Sequence, residues 1–168
     1  TYCKKTLALM KEKYGYDSAF LCPSGTAALE MGVVLADLKP GDEVILPSYT
    51  FSSTVNAVVL FSGIPVFCEV DPKTMNIDYT KIEELITPKT KMIIPIDYAG
   101  VPCDIDEIRE IADRHNLIVF QDCAQSFGSY YKGVPSGKKA HIAAFSFHES
   151  KNYSAGEGGL LLNNVPEW

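Results

Sequence analysis

The sequence predicts an α/β protein, a three-layer sandwich in which helices cover both faces of a mainly parallel sheet. Two observations carry that expectation. Short, near-continuous apolar runs alternate with helical patterns along almost all of the 168 residues, as strands buried on both faces and their crossover helices require. The chain is also 46% hydrophobic and 21% charged, enough apolar surface for one sizeable core, so a single domain is expected.

The elements follow in order. Thr6 to Tyr14 places apolar residues at 7, 9 and 10 and reads as a helix. Ala19 to Cys22 is a short strand. Thr26 to Leu38 is a helix, apolar nearly all round and therefore expected to be deeply buried. Lys39-Pro40-Gly41-Asp42 turns the chain into a strand at Glu43 to Leu46, and a second apolar helix is expected over Ser52 to Phe61. After Ser62-Gly63 come a strand from Pro65 to Val70 and a short helix from Tyr79 to Ile86. Thr87 to Thr90 is a turn, and Lys91 to Ile96 the next strand. Ile105, Ile108 and Ile111 stripe a helix over Ile105 to His115. Leu117 to Phe120, Ala143 to Phe147 and Gly159 to Leu162 close the series as strands. No repeat, linker or low-complexity tract interrupts it.

Composition excludes several classes of function. The net charge is -6, and the basic residues are scattered, without the stripe that a nucleic-acid face shows. No apolar stretch approaches the ~20 residues of a membrane span. The five cysteines form no C-x-x-C pair, and four lie in or beside apolar segments, which predicts reduced core thiols and a cytoplasmic protein rather than disulfides or zinc. His115, His141 and His148 lack metal-ligand spacing, so no metal is expected. Neither a G-x-G-x-x-G nor a P-loop motif occurs. The chain opens without a charged-then-apolar leader, so no signal peptide is expected. Its abrupt ends predict a piece of a longer chain.

Three groups bear on chemistry. Ser24-Gly25-Thr26-Ala27 follows a strand and opens a helix, where free N–H groups and the helix dipole make an anion site. The plainer alternative is that Ser24 simply caps that helix. Asp122 ends an apolar strand, at the edge where open α/β sheets bind ligands. A carboxylate there suits a protonated ring nitrogen, yet Asp97 holds a comparable position, and strand-end placement does not choose between them. Lys151 lies in Ser146-Phe147-His148-Glu149-Ser150-Lys151, ahead of the glycine-rich Gly156 to Gly159. Phe51, after the strand at Glu43, is placed either to stack on a planar ring or to pack in the core. An amine, a carboxylate and a phosphate-sized helix N-terminus are together what holds pyridoxal 5'-phosphate.

With these residues in hand, the chain resembles the sugar aminotransferases of the DegT/DnrJ/EryC1/StrS family. The matching stretches are Ser24 to Leu29, Pro40 to Phe51, Thr74 to Asp78, Tyr98 to Val101, Asp122 to Gln125 and Ser146 to Asn152. The wording at Tyr98 and Ser146 most resembles the dTDP-4-amino-4,6-dideoxygalactose transaminases of surface polysaccharide synthesis. The resemblance implies a fold-type-I large domain over residues 1–168, its sheet carrying one antiparallel strand, with a C-terminal small domain outside the chain and a homodimer in the full-length protein. It implies that Thr26 and Ala27 give backbone N–H groups to the cofactor phosphate and that Ser146 adds its hydroxyl. Phe51 would stack on the pyridine ring, Asp122 would pair with the ring nitrogen, and Gln125 would reach the phenolic oxygen. Lys151 would bond covalently to the cofactor aldehyde. Asp97 stands where many relatives carry histidine.

The implied reaction moves an amino group from L-glutamate to C4 of a nucleotide-linked (dTDP) 4-keto-6-deoxyhexose. Two alternatives remain at this point. One is a sugar dehydratase on the same fold, against which Lys151 counts, since those relatives have histidine there. The other is an inactive fragment whose site is half built.

Overall fold

The computed structural model describes residues 1–168. In chain order its elements are α1 (Tyr2–Tyr14), β1 (Ala19–Cys22), α2 (Gly25–Leu35), β2 (Glu43–Pro47), α3 (Ser52–Leu60), β3 (Ile64–Cys68), β4 (Thr90–Ile93), α4 (Ile105–His115), β5 (Ile118–Asp122), β6 (Tyr130–Tyr131), β7 (Val134–Pro135), β8 (Ile142–Ser146) and β9 (Gly159–Asn163). Seven strands form one sheet in the order β1-β9-β8-β5-β4-β2-β3. Every neighbouring pair is parallel except those made by β9, which runs antiparallel to both β1 and β8. The sheet is therefore mainly parallel, as the sequence predicted, with the one reversed strand that the resemblance implies.

Successive side chains of a strand leave opposite faces of the sheet, and here both sets are apolar. Val44, Leu46, Met92, Ile94 and Phe120 pack with Ala28, Leu29 and Val33 of α2 and with Ala57 and Val58 of α3. Ile45, Ile93 and Val119 point the other way, onto Ile105, Ile108, Ile111 and Ala112 of α4. On that second side Met10 and Tyr16 cover Phe145, Leu160 and Leu162. Three layers result.

Several expectations need correction. The first helix starts at Tyr2, not Thr6. The second stops at Leu35, because Asp37 turns left-handed at φ 54°. It is also not buried all round: Met31 is 46% and Val34 58% exposed, and α3 leaves Val59 and Leu60 exposed. An apolar stripe wider than one core contact is thus left uncovered by this chain. The helix expected over Tyr79 to Ile86 is two single 3-10 turns, Tyr79–Lys81 and Glu83–Leu85. Such a segment is too short to offset the entropy of helix nucleation. The strand expected to reach Ile96 ends at Ile93. Pro95 has no N–H to give the ladder, and pairing resumes only as a single bridge between Ile96 and Asp122. The β6–β7 hairpin was not foreseen. It turns on Lys132 and Gly133, both at positive φ, the two-residue geometry whose strongest sequence signal is Asn-Gly or Asp-Gly.

Cys22, Cys68, Cys103 and Cys123 are buried and free, and Cys3 is exposed. No helix is long and apolar enough to cross a membrane.

Candidate active site

The carboxyl ends of β1, β2, β4, β5 and β8 open onto one cavity of about 680 Å³, β4 through Ile96 and Tyr98. Ser24, Gly25 and Thr26 enter it beyond β1, Tyr49 to Phe51 and Ser53-Thr54 beyond β2, and Asp122 and Gln125 at the end of β5. Ser146, His148 and Lys151 reach it from β8. This is the edge at which parallel sheets bind ligands, because the helices that follow the strands begin there.

The turn after β1 is built by close approach. A Cβ on Gly25 would lie 2.7 Å from the Ser146 Cβ, and one on Gly159 would lie 2.2 Å from the Ser24 carbonyl oxygen. Glycine at both positions lets the first turn of α2 rest directly on β8 and β9. Ser24 caps α2, its Oγ accepting the Ala27 N–H at 3.1 Å. The plainer reading of Ser24 is thus realised: the Ala27 amide, which the resemblance gives to a phosphate, donates here to Ser24, and Ala27 does not line the cavity. The amides of Gly25 and Thr26 precede the first intrahelical bond, which Ala28 makes to Ser24. They are the free donors of that helix end. The Thr26 hydroxyl pairs with Ser53 Oγ at 2.9 Å, so the first turns of α2 and α3 meet at the cavity floor.

Asp122 is 4% exposed. Its carboxylate accepts the Thr54 hydroxyl at 2.8 Å and the Ala124 N–H at 3.0 Å. Burial dominates and pushes its pKa up, the Asp97 charge adds to this, and the hydrogen bonds and the Lys151 charge oppose it. A raised carboxyl facing a cavity favours a cationic partner there. Asp97 differs. It is fully buried and its oxygens are occupied by the Cys103 N–H at 3.0 Å, Gln121 Nε2 at 2.8 Å and Ser126 Oγ at 2.6 Å. It does not reach the cavity, so geometry separates the two acids that strand position left tied.

Phe51 is 73% exposed. It precedes α3 with its ring on the cavity, which removes the core-packing alternative. Gln125 is oriented by its Oε1, which accepts the Ala99 N–H at 2.8 Å. Lys151 is half-buried, and its side chain makes no hydrogen bond or ion pair within the chain. His148 shares the cavity, with Nδ1 at 2.8 Å from Ser150 Oγ and Nε2 at 3.4 Å from Glu157. No group of His, Cys, Asp or Glu forms a metal-binding array.

Thr26, Phe51, Asp122, Gln125, Ser146 and Lys151 thus line one cavity together. Thr54 was not singled out from sequence, and Tyr49 and Tyr98 only as parts of stretches that carry the resemblance. Thr54 carried one available signal, a Ser-Ser-Thr cluster opening an otherwise apolar helix.

The chain is similar to known proteins along almost its whole length. The model of the DegT/DnrJ/EryC1/StrS aminotransferase family matches residues 8–168. GDP-perosamine synthase of Caulobacter vibrioides is 43% identical over 150 residues, which are 89% of this chain and 40% of that protein. The NtdA crystal structure from Bacillus subtilis, with bound cofactor PMP, superposes with a TM-score of 0.93 at 36% identity, covering 99% of this chain and 38% of that one. DesI, solved in the presence of its TDP-sugar product, gives 0.88 at 32% identity, covering 96% and 41%. The chain spans about two fifths of the length of these relatives.

Proposed function

The chain belongs to the DegT/DnrJ/EryC1/StrS aminotransferase family, and from that premise we propose that residues 1–168 are most of the large domain of a pyridoxal-phosphate-dependent sugar aminotransferase. One observation carries the reading: the Lys151 amine, the buried Asp122 carboxylate and the open N-terminus of α2 converge on a single cavity.

The donor set fits pyridoxal phosphate. The Gly25 and Thr26 amides and the Ser146 hydroxyl would hold its phosphate, an anion at a helix N-terminus. Asp122 would hold the protonated ring nitrogen, exchanging its costly desolvation for an ion pair. Phe51 would lie against the ring and Gln125 beside its phenolic oxygen. Lys151 would bond to the aldehyde carbon. When bound, the cofactor supplies an electron sink for the charge left as a carbon loses its proton.

The rest is the work of this chain. The Lys151 amine would be the base that takes the proton from the donor's α-carbon and carries it. Asp122 would hold the proton on the ring nitrogen, and the Thr54 hydroxyl keeps Asp122 aimed. The donor is L-glutamate, released as 2-oxoglutarate. The acceptor is a nucleotide-linked 4-keto-6-deoxyhexose, aminated at C4 when the sequence runs in reverse. The motif wording supports dTDP as its carrier. The 43% identity to a protein named for a GDP sugar supports guanosine as the second reading.

We place the full-length enzyme in the cytoplasm as a homodimer, its small domain lying outside these residues. The exposed Met31, Val34, Val59 and Leu60 suit a subunit contact. Incubation of the full-length protein with L-glutamate and the ketosugar on each carrier tests the function. Release of 2-oxoglutarate with one carrier is expected, and release with neither contradicts it.

A further inference from the structure

We propose that Tyr49 and Tyr98 form the specificity-determining wall of this cavity, an aromatic pair that receives the pyranose ring of the sugar substrate. The inference rests on the aminotransferase reading and names the part of the site that reads the acceptor.

The two rings meet edge to face, with centroids 5.2 Å apart and an interplanar angle of 60°. Their hydroxyls stand 3.4 Å apart. Both line the cavity, and Tyr49 is 48% exposed. Two aromatic side chains left open to water in a cavity are poised for a ligand rather than for the core.

The backbone under Tyr98 is held at a cost. Ala99, the next residue, adopts φ 53° and ψ 21°, a left-handed conformation that costs a non-glycine residue about 1–2 kcal/mol. Such strain persists where the surroundings over-determine it, and here they do so from two segments, one at Asn76 and one at Gln125 to Ser129. The Tyr98 N–H donates to Asn76 Oδ1 at 2.8 Å, and Asn76 Nδ2 donates to the Val101 carbonyl at 3.0 Å. The Ala99 N–H donates to Gln125 Oε1 at 2.8 Å, and Ser129 Oγ donates to the Gly100 carbonyl at 2.8 Å. Asn76 is itself buried at 4% exposure. What this clamp fixes at the cavity is the Tyr98 ring.

The chemistry of the wall selects its ligand. The hydrogen bond to Tyr49 pushes the Tyr98 hydroxyl pKa above its ordinary value. Their mutual contact uses one hydroxyl proton, leaving one donor and spare acceptor capacity for a ligand. A pyranose, with C–H groups on its faces and hydroxyls at its rim, matches such a surface. The carboxylates of an amino donor match a guanidinium instead, and Arg109 and Arg114 both lie on α4, paired with Asp113, Glu83 and Glu110.

The test uses the full-length holoenzyme with Tyr98→Ala, Tyr49→Ala and Tyr98→Phe. The absorbance change on adding glutamate reads the donor half-reaction. The ketosugar KM, with the calorimetric Kd of the aminated nucleotide sugar, reads the acceptor side. Either alanine variant is expected to raise the sugar KM and Kd by about tenfold or more, with a much smaller change in the donor half-reaction, and Tyr98→Phe to lie between. Unchanged sugar constants, or equal losses in both half-reactions, overturn the assignment. If the unaltered enzyme gives no response to glutamate, the aminotransferase reading falls first and takes this inference with it.

Discussion

The hydroxyl of Thr54 donates to the Asp122 carboxylate across 2.8 Å, joining residues 68 apart in the chain. It ties the first turn of α3 to the end of β5 and leaves the acid buried but aimed at the cavity. The same burial raises the Asp122 pKa.

The sign of the linkage yields a prediction for the cofactor-free protein. A carboxyl raised above its unfolded value contributes stability below that value and loses it as pH rises through the folded pKa. Above its folded pKa the ionised Asp122 is therefore a net cost until a cation pairs with it. Asp122→Asn is expected to melt no lower than the unaltered cofactor-free protein at pH 7. Its affinity for pyridoxal phosphate is expected to fall roughly 10–100-fold, the loss of one charge-assisted hydrogen bond. Thermal unfolding and cofactor titration read the two effects separately, and a variant that both melts lower and binds normally contradicts them.

Two glycine substitutions should separate packing from binding. A Cβ on Gly159 would strike the Ser24 carbonyl at 2.2 Å and the Gly25 nitrogen at 2.8 Å, both backbone atoms. A Cβ on Gly32 would strike the Phe120 ring at 2.2 Å, in the core. Each alanine variant is expected to lose about 1–3 kcal/mol in urea unfolding. Gly159→Ala alone should also weaken cofactor binding, since only there does the shift fall on the free amides of α2.

Acid should destabilise the protein through His141. Its Nδ1 accepts the Val119 N–H at 2.9 Å, and burial lowers its pKa from the ordinary 6.5. A histidine depressed on folding stabilises above its unfolded pKa and stops doing so as pH falls through the folded one. The Tm is expected to drop on acidification below about pH 6.5, and to drop less in His141→Gln over the same interval. Parallel curves for the two proteins would assign the acid sensitivity elsewhere.

Much of this molecule was legible in the sequence because its strands are covered on both faces, so each stands out as an uninterrupted apolar run. Lys151, Asp122, Phe51 and Ser146 were legible for a related reason: each falls at or just after such a run, where a parallel sheet exposes its ligand edge. Pairings between distant segments were not legible. Nothing local marks Thr54 as the partner of Asp122, or Asn76 and Gln125 as the clamp beneath Tyr98. Asp97 and Asp122 look alike in one dimension, and only the donors gathered around Asp97 set them apart. The faces of α2 were misread because Met31 and Val34 are apolar yet uncovered, and hydrophobicity alone does not say which neighbour a helix will meet.

Borohydride reduction of the full-length protein with pyridoxal phosphate, followed by peptide mass mapping, tests the convergence on this cavity most directly. A stable pyridoxyl adduct on Lys151, absent from Lys151→Ala along with all turnover, is the predicted result. An adduct on another lysine, or full activity in Lys151→Ala, would contradict it.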